Sequence, residues 1–228
     1  MKPGTEGAAA GRIVLALEHL GEHAGAVELA LRLAQSRRAE LAGVLIEDLN
    51  LLRAAALPFA CEIMAHAGEE RPVGSALMQA RLRRQAQRMQ AEIERKAGAE
   101  GVRTSFRTVR GVGVRAALEL REEADLFVVG RRGRGRWAGA GAAARIVAVE
   151  DPGKPAEPLE AAVRRIEAEL TAGTEAAVER VAWRGAADLA AACRSLRPAL
   201  LVAPAALVGA EALDLLLERV DCPVVLVA

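Results

Sequence analysis

Apolar residues fall into two spacings that alternate along most of this chain. Short unbroken runs suit strands buried on both faces, and runs recurring every three to four residues suit helices with one buried face. Arg12 to Glu18 (RIVLALE) is the first strand segment. A helix is predicted from Ala24 to Ser36, with Val27, Ala30, Leu31 and Ala34 on one face, and Leu41 to Ile46 (LAGVLI) reads as the second buried strand. The pattern then lapses from Glu47 to Gly74, where a short helix before Pro58, an irregular apolar segment and a Gly/Pro-punctuated loop are expected. Leu57, Phe59 and Ile63 in that stretch would either cover a pocket or cap the core. Ser75 to Ala97 is the clearest helix, with Met78, Leu82, Ala86, Met89 and Ile93 as its core stripe and Gly98 as its stop signal. Arg81, Arg83, Arg84 and Arg88 on the other side read as a solvated face. Val102 to Val109 alternates like an edge strand and turns at Arg110-Gly111. Gly113 to Glu123 reads as a short helix, and Leu126 to Val129 as another buried strand.

Residues 12–130 therefore read β-α-β-loop-α-β-α-β. Strands alternating with helices predict an α/β fold with a parallel sheet. Ligands of such sheets sit beyond the carboxyl ends of the strands. Glu18, Glu47 and Gly130 are all expected on that edge.

The later chain echoes the earlier chain. Arg145 to Asp151 (RIVAVED) resembles RIVLALE, and VERVAWRG ending at Gly185 resembles the strand ending at Gly111. A short helix and an apolar strand follow each of these glycines at a nearly equal interval. The second copy has room for one helix near Leu159 to Leu170, and it lacks a strand and the long Arg-rich helix. It gains a helix from Ala210 to Val220 and a buried strand from Pro223 to Val227. Each copy alone lacks part of its sheet, so packing of one on the other is expected to hide open strand edges. The expected organisation is a flexible segment 1–11, a first domain 12–144 and a shortened second domain 145–228, joined as a pseudo-twofold unit.

Composition narrows the chemistry. Alanine, leucine and valine must build the core, because aromatics are only 2% of the chain. The net charge of +1 provides no field for nucleic acid or an anionic membrane. No apolar run reaches the roughly 18 residues of a membrane span, and the N-terminus lacks a signal-peptide pattern, so the cytoplasm is the expected compartment. The three cysteines, Cys61, Cys193 and Cys222, are widely spaced in apolar surroundings and are expected to be buried free thiols. His19 and His23 stand at helical i, i+4 spacing, but no Asp or Cys nearby completes a metal set.

The segment Ala124 to Trp137 (ADLFVVGRRGRGRW) concentrates the candidate chemistry. It delivers a buried strand into a loop of glycines and arginines. Glycine permits close backbone approach to a ligand, and arginine with free N–H groups favours an anion.

With these motifs in place, the chain resembles the universal stress protein family. RIVLALE, LAGVLIED, GVRTSFRTVRG, EEADLFVVGRRGRG and the closing LLLERVDCPVVLVA carry the resemblance, which covers nearly the whole chain as a tandem pair. It implies an adenine-nucleotide α-hydrolase-like α/β fold in two pseudo-repeats, a role in stress survival, and a homodimer or an intramolecular pseudo-dimer. Nucleotide-binding members carry an acidic residue after the first strand and a loop G-x2-G-x9-G-S/T after the fourth. Here Glu18 holds the acidic position and Gly130 and Gly133 match the first two glycines, but Ala143 and Ala144 replace the final Gly-Ser/Thr pair. The implied nucleotide site comprises Glu18, Ile46, Gly130, Arg132, Gly133 and Gly135. The lost hydroxyl donor would cost about 1.5–3 kcal/mol, against which Arg131, Arg132, Arg134 and Arg136 offer compensation. The second copy has Glu150 but no G-x2-G, and reads as a dead phosphate site.

Two readings stand. One is a stress-response protein weakly holding ATP (with magnesium) or AMP in its first half. The other is a non-nucleotide interaction or scaffold module of the same fold. An enzyme beyond slow ATP hydrolysis is disfavoured, since no Walker loop, HxGH motif or Ser/His/Asp set is present.

Overall fold

The computed structural model describes residues 11–18, 23–63, 68–130, 145–153, 157–170 and 177–228. The elements follow the apolar pattern closely. Strands β1 (Arg12–Glu18), β2 (Glu40–Asp48), β5 (Thr104–Gly111), β6 (Leu126–Val129), β7 (Arg145–Glu150), β8 (Ala177–Ala182), β9 (Leu200–Pro204) and β10 (Val224–Val227) form one sheet. Strands β3 (Cys61–Ile63) and β4 (Glu70–Pro72) form a separate antiparallel pair. The helices are α1 (Ala24–Arg37), α2 (Leu49–Ala54), α3 (Ser75–Ala99), α4 (Arg115–Leu118), α5 (Glu157–Leu170), α6 (Ala186–Leu196) and α7 (Ala210–Arg219).

The strand order is β5-β2-β1-β6-β10-β9-β7-β8. Neighbours run parallel except at one joint, where β10 pairs antiparallel with β6 and Val225 faces Val128. On one side of the joint β1 lies between β2 and β6. On the other side β7 lies between β8 and β9. The earlier and later parts of the chain thus contribute strands to a single sheet.

Strand alternation sorts the core into two layers. Ile13, Leu15 and Leu17 of β1 pack with Leu126 and Val128 against Leu29 and Leu33 of α1, Ile93 of α3 and Ile166 of α5. Val14 and Ala16 pack with Phe127 and Val129 against Val114 just before α4, Leu189 of α6 and Leu213 of α7. Both layers draw on the chain before and after the antiparallel joint. Alanine at positions 30, 34 and 97 brings helices close to the sheet, as expected for a core with few aromatics.

Several expectations need correction. The helix expected over Gly113 to Glu123 is a single α-turn, α4, continued by a 3-10 segment from Glu119 to Glu123. Gly98 does not stop α3, which runs on to Ala99. In its stripe Leu82 and Ile93 are buried, but Met78, Ala86 and Met89 are only half-buried. Leu57, Phe59 and Ile63 cap nothing, and Phe59 is 78% exposed. Cys193 and Cys222 are buried as expected, but Cys61 is exposed. The reason is common to Cys61 and Ile63: they lie on the β3–β4 pair, which stands outside the main sheet and has no layer to cover its apolar face.

Candidate functional site

The carboxyl ends of the parallel strands on the β6 side of the joint gather the acidic and glycine residues. Glu18 closes β1, Asp48 closes β2, and Gly130 follows β6. Parallel pairing and register place these ends together: Glu18 stands opposite Ile46, and Asp48 opposite Gly111. The chain then turns at Gly113, whose φ of 60° is in the left-handed region that glycine tolerates.

A cavity of about 350 Å³ opens at this edge. Its lining is Glu18, Asp48, Val112, Gly113 and Gly130 from the earlier chain, and Asp214, Leu217 and Glu218 from α7. Helix α7 reaches the site because β10 joins β6, which sets α7 beside α4 on the same face. Gly113 lies within contact range of two of these acidic groups. A Cβ there would lie 3.4 Å from Oδ1 of Asp214 and 3.8 Å from Oε1 of Glu18. The absent side chain therefore leaves open the space on which carboxylates from β1 and α7 converge.

Each acidic group has a definite environment. The Asp48 carboxylate accepts from the amide N–H of Asn50 at 2.8 Å and so caps α2. The Asp214 carboxyl is pushed above the usual range by burial. Arg115, 3.9 Å away, opposes that shift, while Glu218 and Glu211 reinforce it. Glu47, next to Asp48, is buried and receives Nε of Arg110 at 2.9 Å. It lines a different groove, with Phe106 and Thr108 of β5 and Gln87 and Gln90 of α3.

The start of the glycine loop is packed rather than open. Gly130 sits against the N-terminus of α1, where an added Cβ would come within 2.9 Å of both Ala26 Cβ and His23 Nδ1. His23 is buried and its Nε2 lies 2.6 Å from the main-chain oxygen of Glu18.

Of the residues expected from sequence, Glu18 and Gly130 come together at the cavity. Ile46 does not line it. Its side chain is buried in the layer beneath, with Val44 and Val114. Arg132, Gly133 and Gly135, with the rest of 131–144, lie outside the described residues. Sequence reasoning missed Asp48, Gly113, Asp214 and Glu218. Asp48 carried a signal, because it ends an apolar run as Glu18 does. Asp214 and Glu218 carried none, because their place depends on the antiparallel joint. Among the described residues no group of three or more His, Cys, Asp or Glu side chains could hold a metal ion, and no helix is long and apolar enough to cross a membrane.

No protein-family model matches the chain, and no curated relative matches it. Solved structures do. A universal stress protein from Archaeoglobus fulgidus superposes with a TM-score of 0.52 over 96% of each chain, at 10% identity. A functionally unknown protein from Pseudomonas aeruginosa gives 0.42 at 13% identity, over 96% of this chain and 92% of that one. A protein of the universal stress protein family from Burkholderia pseudomallei gives 0.34 at 15% identity, over 96% of each. Of these three the first exceeds 0.5, and at that identity the likeness is one of fold. The eight-stranded, mostly parallel sheet with helices on both faces is the universal-stress-protein, adenine-nucleotide α-hydrolase-like fold.

Proposed function

We propose that the chain is a universal-stress-protein-like regulatory protein that weakly binds an adenine nucleotide, ATP or AMP, at the cavity lined by Glu18, Gly113 and Gly130. The observation that carries this reading is the position of that cavity. It lies at the carboxyl ends of β1 and β6, where parallel sheets take their ligands. Glu18 offers acceptors to ribose hydroxyls or the adenine amino group, and the glycines allow main-chain approach. Arg132, Gly133 and Gly135 follow Gly130 directly in sequence and are proposed to meet the phosphates. Any magnesium would arrive on ATP.

The same proposal reads the chain as two universal-stress-like domains, 12–144 and 145–228, forming an intramolecular pseudo-dimer. The correspondence of β1, β5 and β6 with β7, β8 and β9 supports it, with no counterpart of β2 among the described residues of the second part.

Titration calorimetry of the full chain with ATP, ADP and AMP tests the ligand. Saturable binding that weakens at least tenfold in Glu18→Ala is expected. Heats that never saturate with any of the three would remove nucleotide binding.

One observation favours a second reading, the non-nucleotide interaction module. Asp48, Asp214 and Glu218 share the cavity with Glu18, and ionised carboxylates accept hydrogen bonds but donate none. A specific protein partner, recovered with a chain that binds no nucleotide, would establish that reading instead.

A further inference from the structure

We propose that the outer edge of β5, with the groove between β5 and α3, is a docking site for an extended acidic peptide segment of a partner protein, which adds to the main sheet as a further strand. This surface shares no lining residue with the strand-end cavity, and the inference stands whatever that cavity binds.

Strand β5 ends the sheet, with β2 on one side and no strand on the other among the described residues. Its main chain is therefore half used. The Leu41 N–H donates to the Arg103 carbonyl at 2.9 Å, and Leu41 stands opposite Thr104. Parallel pairing alternates from there, so Arg103, Ser105, Arg107 and Val109 turn their main-chain groups to β2. Thr104, Phe106, Thr108 and Arg110 turn theirs outward, a template for another strand. Side chains of the last three, with Arg83, Gln87 and Gln90 of α3, line a groove of about 520 Å³. Phe106 gives this groove an apolar floor. Its ring lies against Gly43, where an added Cβ would come within 2.7 Å of it, yet the residue is only half-buried. Alternate side chains of an added strand would project to the α3 side, towards this groove.

The surrounding charge selects the occupant. Arg83 is exposed and has no ion-pair partner among the described residues, and Arg84, Arg88 and Arg95 on the crest of α3 are in the same position. The nearby acids Glu40, Glu47, Glu94 and Glu123 are each held, by Ser105, Arg110, Gln90 and Arg107 respectively. The unanswered charge is thus positive and suits glutamate or aspartate side chains. It also argues against a second copy of this chain as the occupant. Two β5 strands side by side would bring Arg103, Arg107 and Arg110 against their own kind, and like charges facing across strands are destabilising.

The test titrates the full chain with a short fluorescent peptide alternating glutamate with valine, with its lysine counterpart, and with a copy N-methylated along its length. The glutamate peptide is expected to bind saturably and to weaken with added salt, and the other two to bind at least about tenfold more weakly. Arg83→Glu should weaken the glutamate peptide at least about fivefold. Its side chain is exposed, so the fold should be unaffected. Thr108→Pro removes an outward donor at an edge position that tolerates proline, and should weaken binding at least about tenfold. Hydrogen exchange of wild type guards against a proline variant that fails to fold. The peptide should slow the amides of Thr104, Phe106, Thr108 and Arg110, while those of Ser105, Arg107 and Val109, which face β2, should change little. No saturation by the glutamate peptide at about 1 mM, equal binding of the lysine or N-methylated peptide, or protection that avoids β5 would overturn the inference. So would a chain that dimerises in sedimentation and loses the dimer in Thr108→Pro, because a second copy would then occupy the edge.

Discussion

The imidazole of His23 donates its Nε2 proton to the main-chain carbonyl of Glu18 across 2.6 Å. A carbonyl oxygen only accepts, so the proton must sit on Nε2. The same ring packs against Gly130, and His23 is 7% exposed. One side chain at the start of α1 thus ties the end of β1 to the end of β6, the two strand ends that frame the cavity. Replacing it by alanine removes a buried hydrogen bond and the ring's packing, a loss of about 2 kcal/mol. Urea denaturation measures this directly. His23→Gln keeps an N–H donor and should lose less. A loss below about 0.5 kcal/mol in His23→Ala would show that the tie does not support the fold.

The glycines separate into those that packing requires and those it does not. A Cβ on Gly130 would press on His23 and Ala26, and one on Gly111 would overlap the Cβ of Ala116. Ala116 has no longer side chain to swing aside, so backbone must move. Gly130→Ala and Gly111→Ala are each expected to destabilise by about 1–3 kcal/mol, the usual range for overpacking. Gly98 meets nothing within 4 Å and lies inside α3. Gly98→Ala should stabilise by about 0.5–1 kcal/mol through helix propensity alone. Parallel denaturation curves of the three variants check the ordering.

Much of the fold was legible because apolar runs mark buried parallel strands whatever their neighbours. RIVLALE, LAGVLI, LFVV and VVLV each became a strand with an interior buried on both faces. The β3–β4 pair was not legible, because CEI and ERP are three residues long, mix polar with apolar, and bury no common face. Nor was the antiparallel joint, since the strand pairing of Val225 with Val128 is set by topology rather than by either run. The site split along the same line. Glu18 and Gly130 could be read from their place after apolar runs. Asp214 and Glu218 could not, because α7 comes to the cavity only through that joint. His23 stood in view as half of a weak histidine pair, and its bond to Glu18 depends on how α1 folds back over β1.

Both core layers cross the antiparallel joint, so the parts before and after it should not unfold separately. Val128 and Val225 share one layer, and Val129 and Leu226 share the other. Calorimetric melting of the full chain is expected to give one transition, with van't Hoff and calorimetric enthalpies in agreement. Fragments 1–144 and 145–228 expressed alone would expose the facing edges of β6 and β10 and are expected to aggregate. Two resolved transitions, or a soluble and folded first fragment, would show that the joint couples the parts only weakly.

Cys193 makes the stability of the fold depend on alkaline pH. It is 3% exposed on α6, against the layer formed by Val147, Leu189 and Leu201. Burial pushes its thiol from an ordinary 9.0 up to about 11. The unfolded chain therefore releases this proton near pH 9, while the folded chain keeps it until about pH 11. Stability from this group is fully present below pH 9 and is lost as pH rises towards 11, by at most about 2.7 kcal/mol. Urea midpoints measured at pH 8, 9, 10 and 11 should fall over that window in wild type and fall less in Cys193→Ala. The same burial predicts thiol reactivity at pH 8. Exposed Cys61 should react with a thiol reagent at once, and Cys193 and Cys222 only after denaturant is added. Rapid modification of all three in the native protein would mean that the sheet opens at α6 and α7 far more readily than this packing allows.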